Sequence, residues 1–196
     1  MLALPAAPAP PARRQLFVGT ALACSAGAMV IGGMLAIWLR FRDQALKSDA
    51  HRWLPKKFPI PEVASNIMLL SFIAVGVFAQ WAVYAARRDD KRHVGMALGL
   101  TGLIGLAIIN AQAAVWVQMG LPIRDPAGTA YGVMFYAITG TFVVFLIIGV
   151  AFSFITMFRY LGGRTAQREI VTAHAIYWYF AAAAFVMLWF VVYVTK

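Results

Sequence analysis

Five long apolar stretches divide the chain: Leu16 to Leu39, Val63 to Ala86, Val94 to about Gln118, about Tyr131 to Phe158, and Ile170 to Thr195. None of them contains Asp, Glu, Lys or Arg, and charged and turn-forming residues gather in the gaps. At roughly 1.5 Å per residue, a helix of about 24 residues reaches about 36 Å. That exceeds the roughly 30 Å hydrocarbon core of a bilayer. Backbone polar groups find no water there, and runs this long do not fit the short alternating strands of a membrane barrel. Each stretch therefore predicts a membrane-crossing α-helix. The expected fold class is an all-α integral membrane protein with five transmembrane helices, near 15–40, 63–87, 93–118, 130–160 and 168–195, forming one domain over residues 15–196.

Residues 1–14 are rich in Ala and Pro and are expected to be disordered. Arg13 and Arg14 before the first run imitate a secretory leader. The apolar core of a leader runs only about 7–15 residues, so the first run reads as an uncleaved span.

Hydrophobic residues make up 62% of the chain, which leaves no room for a separate soluble domain. The net charge of +10 is scattered over several loops and points to an anionic lipid surface, not to nucleic acid. With the N-terminus in the cytoplasm, nine basic residues lie inside and eight outside. The tight basic segments, among them Arg87, Arg88, Lys91 and Arg92, are all inside. The basic outer loop, Arg40 to Glu62, also carries three acids. The expectation is N-in and C-out.

The polar residues exclude most membrane chemistry. One cysteine, Cys24, cannot form an internal disulfide or a cysteine cluster, and reads as a small apolar residue. His174 is the only ionisable residue inside a span, so no pair of histidines exists to hold a haem between helices. It is expected to be a satisfied histidine near the inner interface. Convergent ligands for copper or zinc are lacking too. Ion-coupled transport usually leaves charged residues within the spans. Here only neutral groups occur, such as Asn66, Gln80, Asn110, Gln112 and Gln118, whose expected role is interhelical hydrogen bonding. Asn110 and Gln112 stand two apart and so face different sides of their helix.

Small residues mark close helix contacts. The first span has Gly19, Ala23 and Gly27 in one row and Ala28, Gly32 and Ala36 in another. Two such faces suggest an internal neighbour on one side and a partner chain on the other. The third span has Gly95, Gly99, Gly102 and Gly105. Aromatic residues cluster near span ends, including Trp38, Trp116 and Tyr177 to Phe180, as interfacial belts do. The first loop, with Trp53, Pro55, Pro59 and Pro61, is expected to be an extended docking surface.

Several local patterns share one resemblance. They are Val18-Gly19-Thr20, the Trp and prolines of the first loop, Val83-Tyr84-Ala85-Ala86-Arg87-Arg88-Asp89-Asp90, and Gln112 in the third span. Ala130-Tyr131-Gly132-Val133-Met134-Phe135-Tyr136, continuing to Thr139-Gly140, and Tyr177-Trp178-Tyr179-Phe180 complete the set. In this order, from about Val18 to Lys196, they resemble subunit III of the haem–copper cytochrome oxidases, in the short five-helix form of some bacteria. Polar landmarks of that family are replaced. Its glutamates fall at Gly27 and near Val115, its two histidines after Thr-Gly at Phe142 and Phe145, and its last-helix His and Asp at Tyr179 and Ala182.

The resemblance implies a non-catalytic accessory subunit of a terminal oxidase in aerobic respiration, in the bacterial cytoplasmic membrane. It implies subunit I, with subunit II, as partners, and haem and copper held by the partner and not by this chain. It also implies membrane lipid, including bound phospholipid, along the seam. Candidate subunit or lipid contacts are Gly19, Ala23, Gly27, Gln112, Trp116, His174 and Trp178. On this reading Gly27→Leu weakens assembly without altering redox spectra. The open alternatives are an accessory protein of a nitric oxide reductase, a membrane assembly factor and a small transporter.

Overall fold

The computed structural model describes residues 14–48, 53–54, 60–122, 130–163 and 168–195. Of the start expected to be disordered, residues 1–13 lie outside them. The described residues form five helices long and apolar enough to cross a membrane, and no strand. The chain is thus an all-α membrane bundle.

α1 spans Gln15–Lys47, well past the expected end near residue 40. The segment Arg40–Lys47 is made of good helix formers and carries a Lys47–Asp43 ion pair at 2.7 Å, one turn apart, so the helix continues beyond the apolar run. α2 is Glu62–Arg87, opened by Pro61 with an acid in its first turn. Asp89 turns the chain at φ +56°, and Asp90 caps α3, Lys91–Met119. The His93 amide donates to Asp90 Oδ1 at 3.1 Å and the ring meets Oδ2. These bonds, the amide first, hold the Asp90 carboxyl below its usual range. α3 ends on Gly120 at φ +52°, where a residue without Cβ is unstrained. α4 is Tyr131–Leu161 and α5 is Arg168–Leu188. The chain then closes in a π-helical segment, Trp189–Val194, in place of the uninterrupted α-helix expected to residue 195.

α2, α3, α4 and α5 pack as a ring, each against the next, with α5 closing back onto α2. α1 lies outside the ring on α5 and, less extensively, on α4. Only the stripe Cys24, Gly27, Ile31, Leu35 and Trp38 of α1 is buried. Its other faces carry exposed apolar residues such as Leu22, Met29 and Ile37, as hydrocarbon requires. One end of the bundle is tied by polar contacts. Glu169 at the start of α5 accepts from the Phe17 amide at 2.8 Å, satisfying an unpaired N–H at the start of α1. Arg168 pairs with Asp89 in the α2–α3 turn.

Candidate packing and subunit-contact site

The centre of the ring is built on Trp178. Its indole is fully buried, and it projects from α5 between glycines of two other helices. A Cβ added at Gly105 of α3 would sit 2.6 Å from Trp178 Cη2, and one at Gly149 of α4 would sit 3.1 Å from Cζ2. Lipid gives helices no hydrophobic reason to associate, so close approach must be supplied by fit. Here two missing side chains make the slot for one indole.

The slot is also where the buried polar groups meet. Trp178 Nε1 donates toward Ser153 Oγ and His174 Nε2, 3.0 Å from each, and those two atoms are 2.7 Å apart. Ser153 also reaches the Gly149 carbonyl at 2.9 Å. His174, between one and two turns into α5, is 0% exposed inside the bundle. Ser153 and Trp178 supply partners to its Nε2, while the buried Nδ1 has no hydrogen-bond partner among the described residues.

Four other neutral polar residues, Gln112, Gln80, Asn66 and Thr139, pair with aromatic donors across helices. Tyr193 Oη donates to Gln112 Oε1 at 3.2 Å, and Tyr179 Oη to Gln80 Oε1 at 2.6 Å. Trp189 Nε1 donates to Asn66 Oδ1 at 3.1 Å, and Trp116 Nε1 to Thr139 Oγ1 at 2.9 Å. The π-helical end carries both Trp189 and Tyr193, and they reach α2 and α3 respectively. Asn110 is exposed while Gln112 is buried, in keeping with their two-residue spacing.

The candidate contact residues therefore separate. Gln112, His174 and Trp178 are buried within the chain, and Trp116 is half-buried against Thr139. Gly27 also faces inward, because a Cβ there would lie 2.7 Å from Phe180 Cζ. A leucine at Gly27 collides with α5 of its own chain, so Gly27→Leu reports internal packing and does not isolate a partner contact. Gly19 and Ala23 face outward, and a Cβ at Gly19 meets nothing within 4 Å. Of the first loop, expected to be a docking surface, residues 49–52 and 55–59, with Pro55 and Pro59, lie outside the described residues, and Trp53 is turned inward. It is 3% exposed and folds onto the bundle against Trp38 and Tyr131, with centroids at 5.0 and 5.4 Å.

Of the positions where the resemblance places polar landmarks, Tyr179 keeps a hydrogen bond, to Gln80, and Phe142, Phe145 and Val115 hold apolar contacts. Phe142 packs with Phe72 and Phe185 at 6.0 and 5.5 Å, and Phe145 packs with Phe180 at 5.8 Å. Val115 is fully buried. Among the described residues no three His, Cys, Asp or Glu side chains group closely enough to hold a metal ion.

Sequence reasoning missed Ser153 and Glu169. The Gly149-to-Ser153 spacing of four, a small-residue pair on one helix face, carried a usable signal for the first. Nothing local to α1 signals that Glu169, more than a hundred residues away, satisfies its start.

Comparison with known proteins gives the same family throughout. The family model for cytochrome c oxidase subunit III matches residues 54–196, which includes α2 to the C-terminus. Cytochrome c oxidase subunit 3 of Drosophila yakuba is 27% identical over 138 residues, covering 69% of this chain and 50% of that protein. The Rattus norvegicus protein of the same name is 26% identical over 136 residues, 68% of this chain and 49% of its own length. The Schizophyllum commune protein is 26% identical over 140 residues, 69% and 49%. The chain spans about half the length of the curated relatives it matches.

Proposed function

The chain belongs to the cytochrome c oxidase subunit III family, and from that membership we propose that it is a non-catalytic accessory subunit of a haem–copper terminal oxidase in aerobic respiratory electron transport. The observation that carries this reading is the family match running through the four ring helices, the part of the molecule that holds the Trp178 slot. Its proposed partners are subunit I, with subunit II, and lipid of the seam between them; haem and copper belong to the partner. The buried polar side chains that pair across helices spend their hydrogen bonds joining them, which suits a packing role. The proposed location is a bacterial cytoplasmic membrane with N-in, C-out topology. Supporting that orientation, the start of α1, the α2–α3 turn with Arg87, Arg88, Lys91 and Arg92, and the start of α5 share one end of the bundle.

The outward face of α1 is the proposed contact with the larger partner. Gly19→Leu combined with Ala23→Leu is expected to leave the isolated chain's thermal unfolding unchanged, because both sites face away from the bundle. Native gels of the same membranes should show less assembled complex, while the redox spectrum of what assembles stays the same. Full complex yield in the double variant removes this face from the interface.

A further inference from the structure

Most polar side chains on the membrane-facing surface are satisfied within the chain. Ser25 and Ser71 turn their hydroxyls back to the carbonyls of Ala21 and Ile67, at 3.0 and 2.8 Å. Asn66, Gln80 and Gln112 accept from Trp189, Tyr179 and Tyr193. Gln118 stands one residue before the end of α3, within reach of interfacial water. Asn110 is the exception: it is exposed, and its side chain bonds to none of the described residues. It lies about 6 Å from the middle of the apolar run Val94 to Gln118, well inside a hydrocarbon half of roughly 15 Å. A carboxamide is too short to reach the interface from there, and hydrocarbon offers it nothing to bond to. Rotating back onto its own helix satisfies one N–H at the carbonyl a turn earlier and leaves Oδ1 bare.

The surface around this amide has the form of a helix-pairing seam. Met96, Leu103, Asn110 and Val117 recur every seven residues and all are exposed, with Leu106 and Ala113 between them. That spacing makes the a and d positions of a left-handed helix pair, with Asn110 at an a position. Exposed Ala107, Ala113 and Ala114 around it allow a second backbone to come close. Lipid alone accounts for the leucines; it does not account for an amide at the centre of the stripe.

A second copy of the chain meets the need of the amide without any further requirement. Copies inserted with one topology have α3 running in the same direction. A two-fold axis along the membrane normal then sets Asn110 opposite Asn110 at equal depth. A carboxamide both donates and accepts, so the pair is self-complementary. Any other helix would have to bring its own polar group to this depth. α3 packs on α2 and α4, and α1 lies on α5 across the ring, so the α1 and α3 faces can be occupied together.

We propose that the chain pairs with a second copy of itself through the outward face of α3, the two Asn110 amides hydrogen-bonded across the two-fold axis. The inference stands apart from the oxidase reading, since it rests only on this chain's own surface.

The test is cysteine cross-linking of the full chain in the membranes that express it, where all copies share one topology. In a Cys24→Ala background, Val117→Cys on the seam should give an oxidised dimer on non-reducing gels. Val144→Cys, exposed on α4, should not. Association is then measured by Förster transfer between labelled copies diluted in lipid vesicles. Asn110→Leu should raise the dissociation constant about tenfold, the effect of one interhelical amide pair. Asn110→Gln, which keeps the amide, should retain most of the association. Helical circular dichroism of Asn110→Leu should match wild type, so that a lost dimer is not a lost fold. Equal cross-linking from Val117→Cys and Val144→Cys, or a dimer from neither, overturns the proposal, as does association unchanged by Asn110→Leu. Cross-linking of Val117→Cys to a different chain in place of its own copy overturns it too, in favour of a hetero-partner at this face.

Discussion

Trp178→Ala is expected to destabilise the bundle by about 3–5 kcal/mol, the range for removing a large aromatic from a close-packed core. The indole is fully buried, fills the gap between Gly105 and Gly149, and its Nε1 donates to Ser153 and His174. Its removal leaves a cavity among three helices and strips a donor from two buried polar groups. Trp178→Phe separates these terms. It keeps much of the volume but loses the N–H and part of the ring, so it should cost less, about 1–2 kcal/mol, an interhelical hydrogen bond plus a small cavity. Thermal unfolding in mild detergent, followed by helical circular dichroism, reads both. A cost below about 1 kcal/mol for the alanine variant would mean that Trp178 does not organise the ring.

Gly105→Leu is expected to prevent the ring from closing. Even a methyl group at this position would sit 2.6 Å from Trp178 Cη2 and 2.8 Å from Val150 Cγ2. Trp178 has no room to retreat, because Gly149 bounds it on the far side. Gly105→Ala should cost about 1–3 kcal/mol as ordinary overpacking, and the branched leucine more than that. Folded protein recovered after detergent extraction should fall sharply for leucine and modestly for alanine. Gly33→Leu is the control, since a Cβ there meets nothing within 4 Å. Combining Gly105→Ala with Trp178→Phe should be less damaging than the two costs summed, because the smaller ring gives the methyl space. Strict additivity would show that the two residues do not share one slot.

Much of this fold was legible in the chain, and the reason is the solvent. In hydrocarbon a charge-free run of this length has few structures open to it, so five runs gave five helices. Their ends were less legible, because polar helix formers continue α1 to Lys47 without any apolar signal. The π-helical close at Trp189–Val194, which carries the Trp189–Asn66 and Tyr193–Gln112 bonds, has no local pattern that encodes it. The small-residue rows were readable as close contacts, but not which face met which neighbour. Gly27 and Gly19 stand in one row by sequence, yet a Cβ on the first strikes Phe180 and on the second meets nothing. His174 shows the same limit: Trp178, one turn on along α5, could be read beside it, but Ser153 reaches it from α4 only through the fold. The replaced landmarks Phe142 and Phe145 were readable as apolar substitutions, and their packing with Phe72, Phe185 and Phe180 gives the physical sense of the change.

The central claim is that this family member works as a subunit beside a haem-bearing chain. Its most direct test is gentle purification through a C-terminal tag, with a reduced-minus-oxidised spectrum and identification of the co-purifying chains. The account predicts haem bands together with a large catalytic partner at equal stoichiometry, and oxygen consumption by the purified complex. A colourless protein recovered alone from membranes that contain the oxidase would contradict it.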